Sequence, residues 1–252
     1  MGTKMYREQS GRVQKMLVYT AVELYTSISS EVIIKNCLVS LMKEWDKIFT
    51  NLETIDFSYG KNVKRLRTGS FFNTINKNDL ILDVFSGRCD TSYGLKDLGY
   101  RIVSGDISLE LLKINKGVNR KLQCSALVLP FRNDQFDAVI IQGGLHHLDS
   151  FDHIQVCLNE IKRIVKPTGS VFISEPGNTL AVKIWLFLIK KTTLWKVTSY
   201  SRNWHDLYKA EEKTHSLYMS NINTLISFLK HNWIIAVHKR GLVTEFFTLK
   251  KE

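Results

Sequence analysis

Cysteine is scarce in this chain of 252 residues, and its four copies stand apart. Cys37, Cys89, Cys124 and Cys157 form no C-x-x-C pair and have no histidine at ligand spacing. Neither a disulfide framework nor a metal site is therefore expected, and a reducing, cytoplasmic setting fits best. Long hydrophobic runs are missing too. The longest, Leu180 to Ile189, is about half of what a bilayer crossing needs and carries Lys183. The opening Met1-Gly-Thr-Lys-Met-Tyr6 lacks the apolar core of a signal peptide, and Tyr6 stands where a myristoylation signal wants Ser or Thr. Secretion and lipid anchoring are not expected. Acidic residues fall short of basic ones, 24 against 35, leaving a formal net charge of +11. That surplus favours anionic partners, among them nucleic acid, phosphorylated substrates and acidic membranes, without choosing between them.

What is present is enough apolar material, 44% of residues, for one substantial core. From Arg12 to about Lys47 apolar residues recur at helical spacing, which predicts two helices ahead of any strand. Phe57-Ser-Tyr-Gly60 interrupts that pattern, and the basic run to Arg67 leads through a turn at Thr68-Gly-Ser70 into a short helix from Phe71 to Ile75. Strand patterns then fall at Leu80 to Phe85, Arg101 to Gly105, Leu122 to Ala126, Phe136 to Gln142 and Gly169 to Glu175, with helical stretches between them. Such alternation predicts a parallel sheet covered on both faces. After Pro176 the pattern is helical to Lys191, ambiguous and aromatic from Trp195 to Tyr208, and helical again from about Asn221 to Lys230. The runs on either side of Arg240-Gly241 predict an antiparallel hairpin. The expected organisation is a helical cap over residues 1–75 and an α/β domain over 76–252, with an insertion at 177–218.

The segment Leu80-Ile-Leu-Asp-Val-Phe-Ser-Gly-Arg-Cys89 runs an apolar strand into a glycine-containing turn, and a second acid, Asp106, closes the next strand. Together they read as the front of a doubly wound nucleotide site. Leu129-Pro-Phe-Arg-Asn-Asp-Gln-Phe-Asp-Ala-Val-Ile140, Leu145-His-His-Leu148 and Glu160-Ile-Lys-Arg-Ile-Val-Lys-Pro-Thr-Gly169 follow in order. This series resembles the class I S-adenosylmethionine-dependent methyltransferases of the small-molecule group. The resemblance covers Leu80 to Glu175 and, more loosely, the terminal hairpin. It implies an α/β, doubly wound, Rossmann-like seven-stranded sheet ending in an antiparallel hairpin, with S-adenosylmethionine as cofactor and a small or lipid-like methyl acceptor. By the same resemblance Asp83 and Gly87 meet the cofactor's methionine part, Asp106 the ribose, Ile107 one adenine face, and Ser125 and Ala126 the adenine edge. Gln142 and Gly143 line the methyl-transfer cavity, and His146 or His147 is the candidate base for an acceptor that must lose a proton.

Three positions depart from the family's pattern. Phe85 replaces the first glycine of D-x-G-x-G and resembles the D-x-F-x-G turn of several nucleic-acid methyltransferases, which implies that its ring packs beside the cofactor. Cys89 replaces the last glycine, where a Cβ at positive φ is poorly tolerated. Ser125 replaces an acid. These motivate a rival reading as an inactive methyltransferase-fold subunit. RNA or DNA methylation fits less well, because Gln142-Gly-Gly-Leu145 stands where amino-methylating enzymes carry Asn/Asp-Pro-Pro-aromatic. A nicotinamide oxidoreductase lacks its G-x-G-x-x-G. Asp137 is expected to tie the fourth strand to its neighbours, and Glu175 to face the functional edge. Trp185, Phe187, Trp195, Tyr200, Trp204, Tyr208 and Tyr218 enrich the insertion as a substrate lid or membrane interface, although Leu180 to Ile189 taken alone predicts a core helix.

Overall fold

A computed structural model describes residues 59–193 and 196–251. The two helices predicted before Lys47, and Trp195, lie outside the described residues. Chain contacts divide the protein into residues 1–47 and 48–252, and everything below belongs to the second unit.

Its elements are α1 (Tyr59–Thr68), β1 (Leu80–Val84), α2 (Asp90–Asp97), β2 (Arg101–Asp106), α3 (Leu109–Ile114), β3 (Lys121–Gln123), β4 (Phe136–Gln142), α4 (Phe151–Ile164) and β5 (Val165–Pro176), followed by α5 (Leu180–Lys191), α6 (Ser199–Ser220), α7 (Ile222–Asn232), β6 (Ile234–Arg240) and β7 (Thr244–Lys250). Short 3-10 turns cover Phe71–Asn73 and Leu145–His147. The seven strands lie in the order β3-β2-β1-β4-β5-β7-β6. All neighbours are parallel except the two pairs made by β7, which slots antiparallel between β5 and β6. This is the doubly wound sheet with terminal hairpin that the alternating pattern predicts.

Successive strand residues feed opposite faces, as the pleat requires. On one face Leu82, Val84, Val139, Ile141, Val171 and Ile173 pack with Ile154, Leu158 and Ile161 of α4 and Leu225 and Leu229 of α7. On the other, Ile81, Ala138, Ile140 and Phe172 pack with Leu66 of α1, Phe71 and Leu95 of α2. The basic run to Arg67 forms the exposed side of α1, whose Leu66 is fully buried. Residues 66–75, read from the sequence as part of the cap, pack into this second layer through Leu66, Phe71 and Ile75. Asp137 ties β4 to β1 by accepting from Leu80 N (2.9 Å) and pairs with Lys166 (2.6 Å).

The structure corrects one expectation about the insertion. Helix α5 buries only Val182 and Ile189, while Leu180, Ile184 and Phe187 are 73, 52 and 61% exposed. It is not a core helix. Its two buried positions fall two turns apart, a single narrow stripe, because α5 lies past the end of β5 and meets the fold along one line. The ambiguous aromatic stretch resolves as the start of α6, capped by Thr198 and Ser201 in a reciprocal box.

Candidate active site

Two groups of side chains gather at the carboxyl edge of the sheet. The first surrounds the turn after β1. Phe85, Gly87 and Cys89 all take left-handed backbone, at φ of 59, 47 and 62°. Such a conformation costs an ordinary residue about 1–2 kcal/mol, so the turn must be held by its surroundings. It is held by hydrogen bonds from Ser86 N to Gly105 O (3.1 Å), Gly87 N to Asp106 Oδ2 (2.7 Å) and Cys89 N to Ser86 O (2.7 Å). Cys89 is fully buried against Leu112 and Val118 at the start of α2. The substitution the sequence marks as awkward is accommodated by burial, with the positive φ retained.

Asp83 does not face outward. It is 2% exposed, and its Oδ2 accepts from Ser92 Oγ at 2.7 Å, which in turn accepts from Ser104 Oγ at 2.6 Å. Burial raises its pKa to about 7, against the lowering effect of the Ser92 bond and with the help of the Asp106 charge. Asp106 ends β2 with Oδ2 on Gly87 N and Oδ1 on Ser108 N (2.8 Å), while Ser108 caps α3. Ile107 beside it is 43% exposed. Nothing lies within 4 Å of where a Cβ on Gly87 would sit, so the backbone there is open to a ligand. The Phe85 ring lies against Gly144, where an added Cβ would come within 2.3 Å of it. Ser125 closes a small bridge with Val128 and accepts from Leu127 N (3.2 Å), and Ala126 is buried in the core. Gln142 donates to Thr91 Oγ1 (3.2 Å) and keeps a buried Oε1 without a hydrogen-bond partner among the described residues.

The second group is built on the 3-10 turn Leu145–His147. Glu175, at the end of β5 and 1% exposed, accepts with Oε1 from Gly144 N and Leu145 N, both at 2.8 Å. Its Oε2 is 2.7 Å from His146 Nδ1. On the other side of that imidazole, Nε2 lies 3.6 Å from Glu211 Oε2 of α6. Adjacent side chains leaving the strand are expected to diverge, but the tight turn brings the His146 and His147 rings to 4.1 Å between centroids. Burial pulls the His146 pKa down, and Glu175 and Glu211 more than reverse that, leaving it at about 10. Burial and the neighbouring His146 charge push His147 down to about 3 and His215 to about 4. His215 and Tyr218 of α6 stand edge-on to His146 at 5.9 and 6.3 Å. The sequence reading missed Glu211 and His215. Leu207, Tyr208, Glu211, His215 and Tyr218 share the buried face of α6, and two polar residues on an otherwise apolar helical face were the available signal.

Residues 82–173, from β1 into β5, match the family described as "Methyltransferase domain". The demethylmenaquinone methyltransferase of Streptomyces avermitilis is 36% identical over 98 residues, 38% of this chain and 41% of that protein. An uncharacterized protein of Methanocaldococcus jannaschii is 34% identical over 157 residues, 58% of this chain and 67% of its own length. The chain belongs to the class I S-adenosylmethionine-dependent methyltransferases. Its fold is shared by the solved 1,6-didemethyltoxoflavin-N1-methyltransferase of Burkholderia thailandensis at a TM-score of 0.52 and 16% identity, over 90% of this chain and 92% of that one. The chain spans about half the length, or less, of the curated quinone methyltransferases it matches, 41 and 50% for two of them. The first group of side chains leaves three features open toward the carboxyl edge of the sheet. Asp106 offers carboxylate oxygens, Gly87 an open backbone, and Gln142 Oε1 an acceptor in want of a donor.

Proposed function

We infer that the chain binds S-adenosylmethionine along the carboxyl ends of β1, β2 and β4 and methylates a small, quinone-like or lipid-like acceptor. The observation that carries this reading is Asp106. It stands at the end of β2 with one backbone N–H on each oxygen, beside the exposed Ile107 and the open backbone of Gly87. When bound, the cofactor supplies a methyl group on a positively charged sulfur. What the protein contributes is placement. Asp106 holds the ribose, Ile107 covers an adenine face, Gln142 Oε1 accepts from the amino end, and Phe85 and Gly144 wall the cavity. Alignment of two reactants in this way is worth several kcal/mol. His146 and His147 stand one turn beyond Gln142 and are the groups nearest to an incoming acceptor. The curated relatives named for demethylmenaquinone support the quinone-like class.

Formation of S-adenosylhomocysteine from S-adenosylmethionine tests the reading, with a panel of reduced naphthoquinols and benzoquinols set beside RNA. Turnover on a quinol is expected. Turnover on RNA alone would reject the acceptor class, and failure of calorimetry to detect the cofactor would reject the enzyme.

A further inference from the structure

The sequence gives no reason to expect a metal, since its cysteines are scattered and its histidines show no ligand spacing. The fold changes this. His146 and His147 come from the turn after β4 and Glu211 from α6, and one ligand atom of each lies within 4.8 Å of the others. We propose that His146, His147 and Glu211 bind a divalent transition-metal ion of the zinc class. The proposal does not rest on the methyl-transfer reading, although it uses the two histidines which that reading places beside the acceptor.

Three observations carry it. The first is the separation of His146 Nε2 and Glu211 Oε2. At 3.6 Å it is too long for a hydrogen bond. Two ligands bound tetrahedrally to zinc at roughly 2.0–2.2 Å stand about 3.4 Å apart. The gap therefore has the width of a shared ion, and the other separations, within 4.8 Å, would have to shorten on binding. The second is the support behind His146. Its Nδ1 is 2.7 Å from Glu175 Oε2, and Glu175 is itself fixed by Gly144 N and Leu145 N. In the neutral ring that binds a metal, donation from Nδ1 to Glu175 places the Nε2 lone pair toward Glu211, the arrangement by which ligand histidines are oriented and made more basic. The third is charge. Glu175 and Glu211 are 1 and 7% exposed, and neither has a Lys or Arg ion pair among the described residues. Glu245, opposite Glu175 in the β5–β7 register, has Arg240 at 3.1 Å. Buried carboxylates need compensating positive charge. The Arg65 guanidinium acts on Glu175 through space and an imidazolium adds one charge, whereas a divalent ion held by neutral histidines adds two.

Three protein ligands leave a fourth position for water or a hydroxyl oxygen, as in reactive zinc sites and unlike closed structural ones. Tyr218, edge-on to His146, keeps a buried hydroxyl without a partner among the described residues, a group that a metal-bound water would satisfy.

Cobalt(II) is the probe, added to the full chain prepared without a histidine tag and stripped with a chelator. One equivalent should bind with visible ligand-field bands, and zinc(II) should displace it. Glu211→Gln and His147→Ala should each weaken binding at least about tenfold, and Glu175→Gln about ten- to a hundredfold. His153→Ala, on the exposed start of α4, should leave the titration unchanged. Absence of a saturable one-to-one spectrum overturns the site, as does a wild-type titration in the Glu211→Gln/His147→Ala double variant. X-ray absorption at the zinc edge of the wild-type chain needs no variant to fold. Imidazole scattering from two rings is expected there, and its absence also overturns the proposal. None of these readouts involves methyl transfer. An intact cobalt spectrum without turnover refutes only the enzymatic reading, and turnover without the spectrum refutes only the metal site.

Discussion

Asp106 ends β2 with one backbone N–H on each oxygen, a fixed carboxylate at the edge where a ligand's hydroxyls would meet it. Asp106→Ala should therefore weaken S-adenosylhomocysteine about ten- to a hundredfold by calorimetry, the loss of a charge-assisted pair worth about 1.5–3 kcal/mol. Equal affinity in a variant that keeps its thermal midpoint would detach Asp106 from the ribose. Asp83 leads to a different expectation. Its pKa stands near 7 in the folded chain, above the ordinary 3.8. The folded state thus holds a proton that the unfolded state loses, and stability falls as pH rises from about 4 to about 7, by up to about 4 kcal/mol. Asp83→Asn should remove that slope, gaining on wild type in thermal midpoint at pH 8 and not at pH 4. Parallel midpoints across this range would show that Asp83 ionises freely. Both acids were legible in the sequence as strand-end motifs. Ser92 and Ser104 were not, because the hydroxyl chain beneath Asp83 exists only once α2 packs over β1 and β2.

At the level of elements, the close fit of β4's exit against the turn after β1 is the most sensitive contact. A methyl on Gly144 would fall 2.3 Å from the Phe85 ring, which has the β1 turn behind it. Gly144→Ala should cost about 1–3 kcal/mol in urea denaturation and lower cofactor affinity together with it, since the ring walls the cavity. A variant as stable as wild type would mean that Phe85 moves freely. Helix α5 makes the opposite case. Leu180→Ser and Phe187→Ser should each stay within about 0.5 kcal/mol of wild type, whereas Leu225→Ala in α7 should cost about 2–5 kcal/mol. The sequence identified α5 as a helix and misplaced it as core, because an apolar decamer looks the same whether it is covered on every side or along one stripe. Strands β1, β2 and β4 were placed within a residue or so, since period-two burial and bounding turns are local properties. The start of α6 stayed ambiguous, because its aromatic residues suit either state and its cap at Thr198 depends on chain direction.

For the molecule as a whole, topology was readable and long-range convergence was not. Alternating patterns give a parallel sheet, and the closing hairpin gives the antiparallel edge. Nothing local says that α6 returns to lay Glu211 beside His146. The net charge of +11 likewise describes the whole surface. Binding to transfer RNA should be measurable near 50 mM salt and fall by orders of magnitude by 200 mM, without methyl incorporation. Tight binding that survives the higher salt, with methylated RNA as product, would replace the quinone-like acceptor. The placement of β7 has a consequence for how the protein is made. Residues 244–250 fill the slot between β5 and β6, although β6 precedes them in the chain. Until a ribosome has released those residues, β5 keeps one open edge and Phe172 lacks its neighbour Phe246. A nascent chain stalled before Thr244 would carry an unpaired strand, the kind of edge on which misassembly begins. Productive folding of the sheet is thereby deferred to the last moments of translation of this domain.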